Sequence, residues 1–193
     1  MLSDRDIREA LMIELRAFAP KKSIIINEFG VWNNRIDVAL VENCLIGYEI
    51  KSDKDTLVRI PEQEALYSKI FDYVSIVCTN KHKIGIWMII PSWYGIIEAY
   101  PDVKKEVGLR TFRVGTKNLH LDKKYCAGLL WRNESLQLLD KYLPGHKLLY
   151  KTKKMMHEKL ANILTLDELH KEIIDTFKKR EWADNRDIVE VVE

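Results

Sequence analysis

Apolar residues recur at helical spacing near the start of the chain: Ile7, Ala10, Leu11, Leu15 and Phe18 stand three or four apart, the period of a helix face packed on a core. Ser3 can cap that helix, Asp4 and Asp6 sit in its first turn, and Ala19-Pro20 ends it. Glu14 falls within this stripe, one turn after Ala10 and Leu11. A carboxylate on a packing face needs a partner, and Arg35 is one candidate.

The period then shortens. Ile24–Phe29, Arg35–Val41 and Cys44–Lys51 are β-branched, apolar runs that predict three strands. Glu42-Asn43 forms a tight turn between the second and third. Pro61 and the stretch Glu62–Phe71 predict a helix, with proline in its first turn. Tyr73–Cys78 predicts a further buried strand, and Trp93–Tyr100 another. Residues 81–90 suit either a strand or a helix. After Pro101 the pattern turns helical around Leu136–Leu139, Lys151–Ile163 and Leu166–Trp182, where Thr165-Leu166-Asp167-Glu168 is a capping box. The tail from Asn185 to Glu193 reads as frayed. The expected order is therefore αβββαβ with a mixed sheet over residues 1–100, an α/β class, followed by a mostly helical region over residues 101–193 packed on it.

Composition narrows the class. The 193 residues are 47% hydrophobic and 31% charged, as in soluble globular proteins. A net charge of +2 makes no case for nucleic acid by itself. Cys44, Cys78 and Cys126 are far apart in apolar surroundings, which predicts core thiols in a reducing cytoplasm. No apolar run approaches the ~18 residues of a membrane span, and the charged start MLSDRDIREAL is unlike a signal peptide. The expected location is cytoplasmic.

Chemistry enters with Asp37, Glu49 and Lys51. Glu49 and Lys51 are two apart on one strand and share a face. Across the Glu42-Asn43 turn, Asp37 comes near Glu49. Two close carboxylates repel unless a cation neutralises them, and hard oxygen ligands in an open site suit Mg²⁺ or Mn²⁺. Lys51 would orient an attacking water, with Glu14 or Glu28 completing the cluster. That is equipment for metal-assisted phosphodiester hydrolysis. The plain alternative for Glu49 and Lys51 is a cross-strand salt bridge on a sheet edge.

The element order and Asp37…Glu49-Ile50-Lys51 resemble the PD-(D/E)XK, or restriction-endonuclease-like, nuclease superfamily. Gln63-Glu64-Ala65-Leu66-Tyr67 resembles the QxxxY feature of RecB-type members. More narrowly, residues 35–74 resemble small uncharacterised bacterial and phage proteins assigned to that superfamily. The resemblance implies a Mg²⁺- or Mn²⁺-dependent endo- or exonuclease acting on DNA, with Asp37, Glu49 and the Ile50 carbonyl as metal ligands. It implies Lys51 as the water-orienting group and Gln63 and Tyr67 as site support. Some members add a glutamate from the first helix, a role that fits Glu14. Ile36 stands where many members have proline before the first acid.

Two other acid–x–Lys strings, Asp102-Val103-Lys104 and Asp122-Lys123-Lys124, lack an upstream acidic strand and read as decoys. The five scattered histidines form no HxH or HxxxH pair, and Trp87, Trp93 and Trp131 read as core. The lysine-rich segment from Lys147 to Arg180 suits phosphate contacts or a solvated helical face. The second function class is a catalytically silent nuclease-fold module that binds DNA or a protein partner through its helical C-terminal region. Symmetric cutting of both strands would favour a homodimer.

Overall fold

The computed structural model describes residues 1–102, 106–145, 147, 151–180, 182 and 189–192. The first helix, α1 (Asp4–Phe18), starts at a capping box in which the Ser3 and Asp6 side chains each accept the other's backbone N–H, at 3.3 and 3.0 Å. Three antiparallel strands follow: β1 (Ile24–Val31), β2 (Asn34–Val41) and β3 (Leu45–Lys51). Helix α2 (Ile60–Tyr67) then crosses to β4 (Tyr73–Thr79), which lies parallel to β3. Residues 80–89 form α3 (Asn80–Ile89), and β5 (Gly95–Pro101) runs parallel to β4. Adjacent parallel strands need a crossover, which resolves the helix-or-strand ambiguity of residues 81–90 through tertiary context.

The sheet does not end at residue 100. Strand β6 (Val107–Arg113) pairs antiparallel with β5, and β7 (Val189–Val191) pairs with β1. The seven strands order β6-β5-β4-β3-β2-β1-β7. The remaining helices are α4 (Lys123–Ala127), α5 (Arg132–Tyr142), α6 (Lys153–Ile163) and α7 (Leu166–Lys179). The architecture is α/β: an αβββαβ core with a mixed sheet and a mostly helical C-terminal region.

Two apolar layers sandwich the sheet. Ile7, Leu11, Met12 and Leu15 of α1 pack on Ile25, Val38, Leu40, Ile50 and Val77. The other face carries α2 and α3 through Ile60, Tyr67 and Ile86, and the C-terminal helices through Leu139, Leu160 and Phe177. Along β1, Ile24 and Ile26 share that second layer with Phe29 and Val31; along β2, Ile36 shares it with Ala39 and Val41. Strict alternation would put even and odd positions on opposite faces, so both strands switch phase, β1 around Glu28 and β2 around Asp37. At the switch Glu28 has φ 54°, a left-handed conformation rare for a side chain of its size.

Several expectations change. The tail is not frayed at Val189–Val191, which pair with β1, while residues 183–188 and 193 lie outside those described. Val103 and Lys104 of one decoy string also lie outside them. Trp87 and Trp131 are about half exposed rather than core, and Cys44 is half-buried, unlike Cys78 and Cys126. The predicted Thr165–Glu168 capping box is present. No helix among the described residues is long and apolar enough to cross a membrane.

Candidate active site

The β2–β3 ladder runs from Val41↔Leu45 to Val38↔Tyr48 and stops there. Its register places Asp37 opposite Glu49, the next pair outward, where the strands part. The β1–β2 register likewise places Glu28 opposite Asp37. Ile50 still pairs with Val77 of β4, but on its β2 side, where the ladder has ended, its N–H donates to Asp37 Oδ2 at 2.6 Å. One acid from each of three strands thus reaches the mouth of a cleft of ≈600 Å³, which is also lined by Lys51, Gln63 and Asp4.

Glu49 and Lys51 lie on the α2 side of the sheet, and both are buried. Lys51 Nζ is 2.7 Å from Glu49 Oε1 and 3.3 Å from Gln63 Oε1. The Gln63 amide donates to the same Glu49 oxygen. Tyr67 completes the set: its hydroxyl lies 3.1 Å from Glu49 Oε2 and 2.8 Å from the Arg35 carbonyl, two acceptors for one proton. Gln63 and Tyr67 are one helical turn apart on the buried face of α2, so both meet Glu49. Burial, then the nearby Asp37 charge, pushes the Glu49 carboxyl up to about 6, against the pull of Lys51 and Gln63. Burial and Glu49 raise the Tyr67 phenol as well, so it stays protonated and able to donate.

A cation absent from the sequence reading organises the other acids. Arg8 on α1 reaches Asp37 Oδ1 and Glu28 Oε1 at 2.8 Å each and Asp4 Oδ1 at 3.2 Å, and donates to the Asp37 carbonyl at 2.7 Å. Burial works against that guanidinium charge, but Asp37, Asp4 and Glu28 outweigh it and raise the Arg8 pKa. Glu28 also pairs with Arg35 at 2.7 Å. The i,i+4 spacing of Asp4 and Arg8 is the sequence signal that could have drawn attention to this pair.

Glu14 is the expectation that fails. It is exposed on α1 and does not line the cleft. The buried stripe is Ile7, Leu11, Met12 and Leu15; Met12 rather than Ala10 completes it, which rotates the packed face away from Glu14. Arg35, offered as its partner, pairs with Glu28 instead. The first-helix acid that does line the cleft is Asp4. The decoy Asp122 serves the fold, capping α4 with its Oδ1, which accepts from the Lys124 and Tyr125 N–H groups.

The donors suit a hard divalent cation in kind: the Asp37 and Glu49 carboxylates and the neighbouring Ile50 carbonyl, in an open polar cleft that leaves room for the waters Mg²⁺ retains. They are also already engaged. Asp37 is held by Arg8 and the Ile50 N–H, Glu49 by Lys51 and Gln63. Among the described residues no three His, Cys, Asp or Glu side chains form a ready-made metal cage.

A family model described as Bacteriophage P4 protein cII matches residues 2–192. A curated relative, Protein cII of Enterobacteria phage P4, is 29% identical over 167 residues, covering 86% of this chain and 62% of that protein. The chain thus spans less than two thirds of that relative's length. A solved structure of a protein of unknown function from Silicibacter pomeroyi aligns with a TM-score of 0.48 and 15% identity, over 77% of this chain and 97% of that one.

Proposed function

The chain belongs to the bacteriophage P4 protein cII family, and for it we propose metal-dependent hydrolysis of DNA phosphodiester bonds at the Asp37–Glu49–Lys51 cleft. The observation that carries the reading is Glu49: a buried carboxylate gripped by Lys51, Gln63 and Tyr67, with a second acid opposite it and an open cleft in front. The PD-(D/E)XK resemblance supports it: Asp37 stands on β2 and Glu49 and Lys51 on β3, the order of elements that the resemblance implies.

When bound, Mg²⁺ or Mn²⁺ supplies charge neutralisation at the scissile phosphate and lowers the pKa of water. Asp37, Glu49 and the Ile50 carbonyl are the groups that would hold it. Lys51, fixed between Glu49 and Gln63, presents its ammonium to the cleft, where it orients the attacking water and offsets developing negative charge. Gln63 and Tyr67 keep Glu49 and Lys51 in one rotamer each by hydrogen bonds from α2. Asp37 takes part once Arg8 gives up Oδ1.

One observation favours a second reading, a silent module that binds DNA or a protein partner. Arg8 and Lys51 already neutralise the crowded acids, so a fold without catalysis has a physical reason to keep them. Nicking of supercoiled plasmid with Mg²⁺, Mn²⁺ or EDTA separates the two, using wild type, Asp37→Ala and Lys51→Ala purified alike. Metal-dependent nicking lost in both variants is expected. Equal nicking by all three proteins, or none from wild type on plasmid, branched and single-stranded DNA, sinks the enzyme.

A further inference from the structure

The β1–β2 hairpin turns through Trp32 and Asn33, and Trp32 has φ 56°. Two-residue hairpins place Gly, Asn or Asp at such positions because a bulky side chain resists positive φ. Here the residue is a tryptophan, and it is 56% exposed. An apolar ring held in an unfavourable turn conformation and left in water serves the fold poorly.

The ring is nonetheless fixed. Its Nε1–H donates to the Tyr125 carbonyl at 3.2 Å, and its centroid lies 5.1 Å from that of Tyr125, tilted by 44°. Gly128, just past α4, lies so close to the indole that any Cβ there would collide with it. Helix α4 therefore provides a seat for Trp32 without covering it.

Position gives the platform a meaning. Trp32, Asn33 and Asn34 line the acid cleft and also a second cleft of ≈270 Å³. Each cleft also has a cation in its lining. Arg59, in the acid cleft, donates to Asn34 Oδ1 at 3.3 Å, and Lys69, in the second cleft, holds its Nζ 4.3 Å from the Tyr125 ring centroid. Glu62 also lines the second cleft, so the platform is not a uniformly basic surface. A seated, half-open aromatic ring that shares each of two clefts with a cation suits the repeating unit of an unpaired strand, a flat base between phosphates. A duplex hides its base faces in its own stack and cannot use such a ring.

We propose that Trp32, seated on Tyr125 and Gly128, is a stacking platform for an unpaired DNA base, so that the acid cleft takes single-stranded or splayed DNA. This rests on the reading of the cleft as a DNA site and names its substrate class. Trp32 binds the strand; it is not a catalytic residue.

The test is fluorescence anisotropy of a labelled oligonucleotide in EDTA, where no cleavage occurs, with wild type, Trp32→Ala and Trp32→Gly. Glycine relieves the positive φ, so the turn survives in that variant even if alanine disturbs it. Both should bind single-stranded DNA about 5- to 150-fold more weakly, the range of one lost base–aromatic stack. Wild type should lose a similar factor on an abasic strand of equal length and charge, and the variants should bind the two strands alike. Trp87→Ala, removing a ring of similar exposure on α3 (52%), should change nothing. Unchanged affinity in Trp32→Gly, a loss equal on duplex and single strand, no binding by wild type, or equal wild-type affinity for the abasic strand would each overturn the proposal. Failure of the nuclease reading shows up separately, as plasmid nicking indifferent to Asp37→Ala and Lys51→Ala.

Discussion

Substituting Glu49→Gln should make the protein more stable at neutral pH while abolishing function. The Glu49 carboxyl rises from an ordinary 4.5 to about 6 in the fold, through burial first and Asp37 second. Below about 4.5 it is protonated in both folded and unfolded states. Between 4.5 and 6 the unfolded chain releases the proton while the native state keeps it, so stability falls as pH rises. Above about 6 the full cost stands: the rise from 4.5 to about 6 corresponds to ~2 kcal/mol. That figure already includes the attraction of Lys51 and Gln63, which fails to offset burial and repulsion. Glutamine keeps the shape of the neutral acid, so the variant should gain up to ~2 kcal/mol at pH 7.5, or about 4–8 °C in Tm for a domain of this size. At pH 4.5 the gain should shrink towards nothing. Urea unfolding followed by tryptophan fluorescence at the two pH values measures both. Added Mg²⁺ should raise the wild-type midpoint and leave the variant's in place. A variant less stable than wild type at pH 7.5 would show that the Lys51–Glu49 pair outweighs burial and repulsion. The argument from crowded carboxylates would fall with it.

Two further predictions use the same titrations. His157 is buried on α6, and burial followed by the nearby Lys153 charge lowers its pKa to about 4. Its stability contribution is complete above about 6.5 and is lost as pH falls towards 4, by ~3 kcal/mol. Over that range it opposes the Glu49 gain, so Glu49→Gln should steepen the acid limb and His157→Phe should flatten it; parallel limbs in all three proteins would refute both assignments. Arg8→Gln leaves Asp4, Glu28 and Asp37 without their shared cation and should cost about 1–3 kcal/mol at pH 7.5. Mg²⁺ should restore part of the loss if those acids include a cation site; urea midpoints with and without the metal decide it.

The sheet was legible because its signal is local: β-branched runs bounded by turn residues give β1 to β4. Counting outward from a two-residue Glu42-Asn43 turn brings Asp37 within one residue of Glu49; Cys44 joins the loop, so that Val41 pairs with Leu45 and the register shifts Asp37 onto Glu49. Gln63 and Tyr67 were legible for a similar reason, since i,i+4 spacing fixes a shared helix face. Glu14 was misplaced because helical phase is continuous: Met12 rotates the packed face, and Ala10 and Phe18 gave a plausible but wrong stripe. Arg8 left no apolar pattern, for its role depends on where α1 crosses the sheet beside Glu28 and Asp37. Strand β6 was missed because an exposed edge strand such as Val107–Arg113 alternates weakly, and β7 because three residues are too few for a period. Trp32 was overlooked among more obvious tryptophans because its exposure is set by α4, almost a hundred residues on.

Three departures from ordinary folding preference cluster at this cleft. Glu49 is a buried acid with a raised pKa, Glu28 has a left-handed backbone where its strand changes phase, and Trp32 has a positive φ at the hairpin tip. Among the described residues Lys22 is the other non-glycine residue with positive φ, and it is away from the cleft, in the turn between α1 and β1. Local rules broken together at one place mark a site retained for something other than stability. Arg8 accounts for where the Asp37 and Glu28 charges rest, yet it is not among the partners of Glu49, whose cost persists despite Lys51. A silent module could shed that cost with a glutamine at position 49, whose amide oxygen in the place of Oε1 keeps the hydrogen bonds from Lys51 and Gln63 while its NH2 in the place of Oε2 donates to the Tyr67 hydroxyl. A cation-dependent reaction gives the Glu49 carboxylate a use beyond its pair with Lys51, and a comparison of Glu49→Gln with wild type, in stability and in plasmid nicking, weighs the proposed nuclease against its rival on that point.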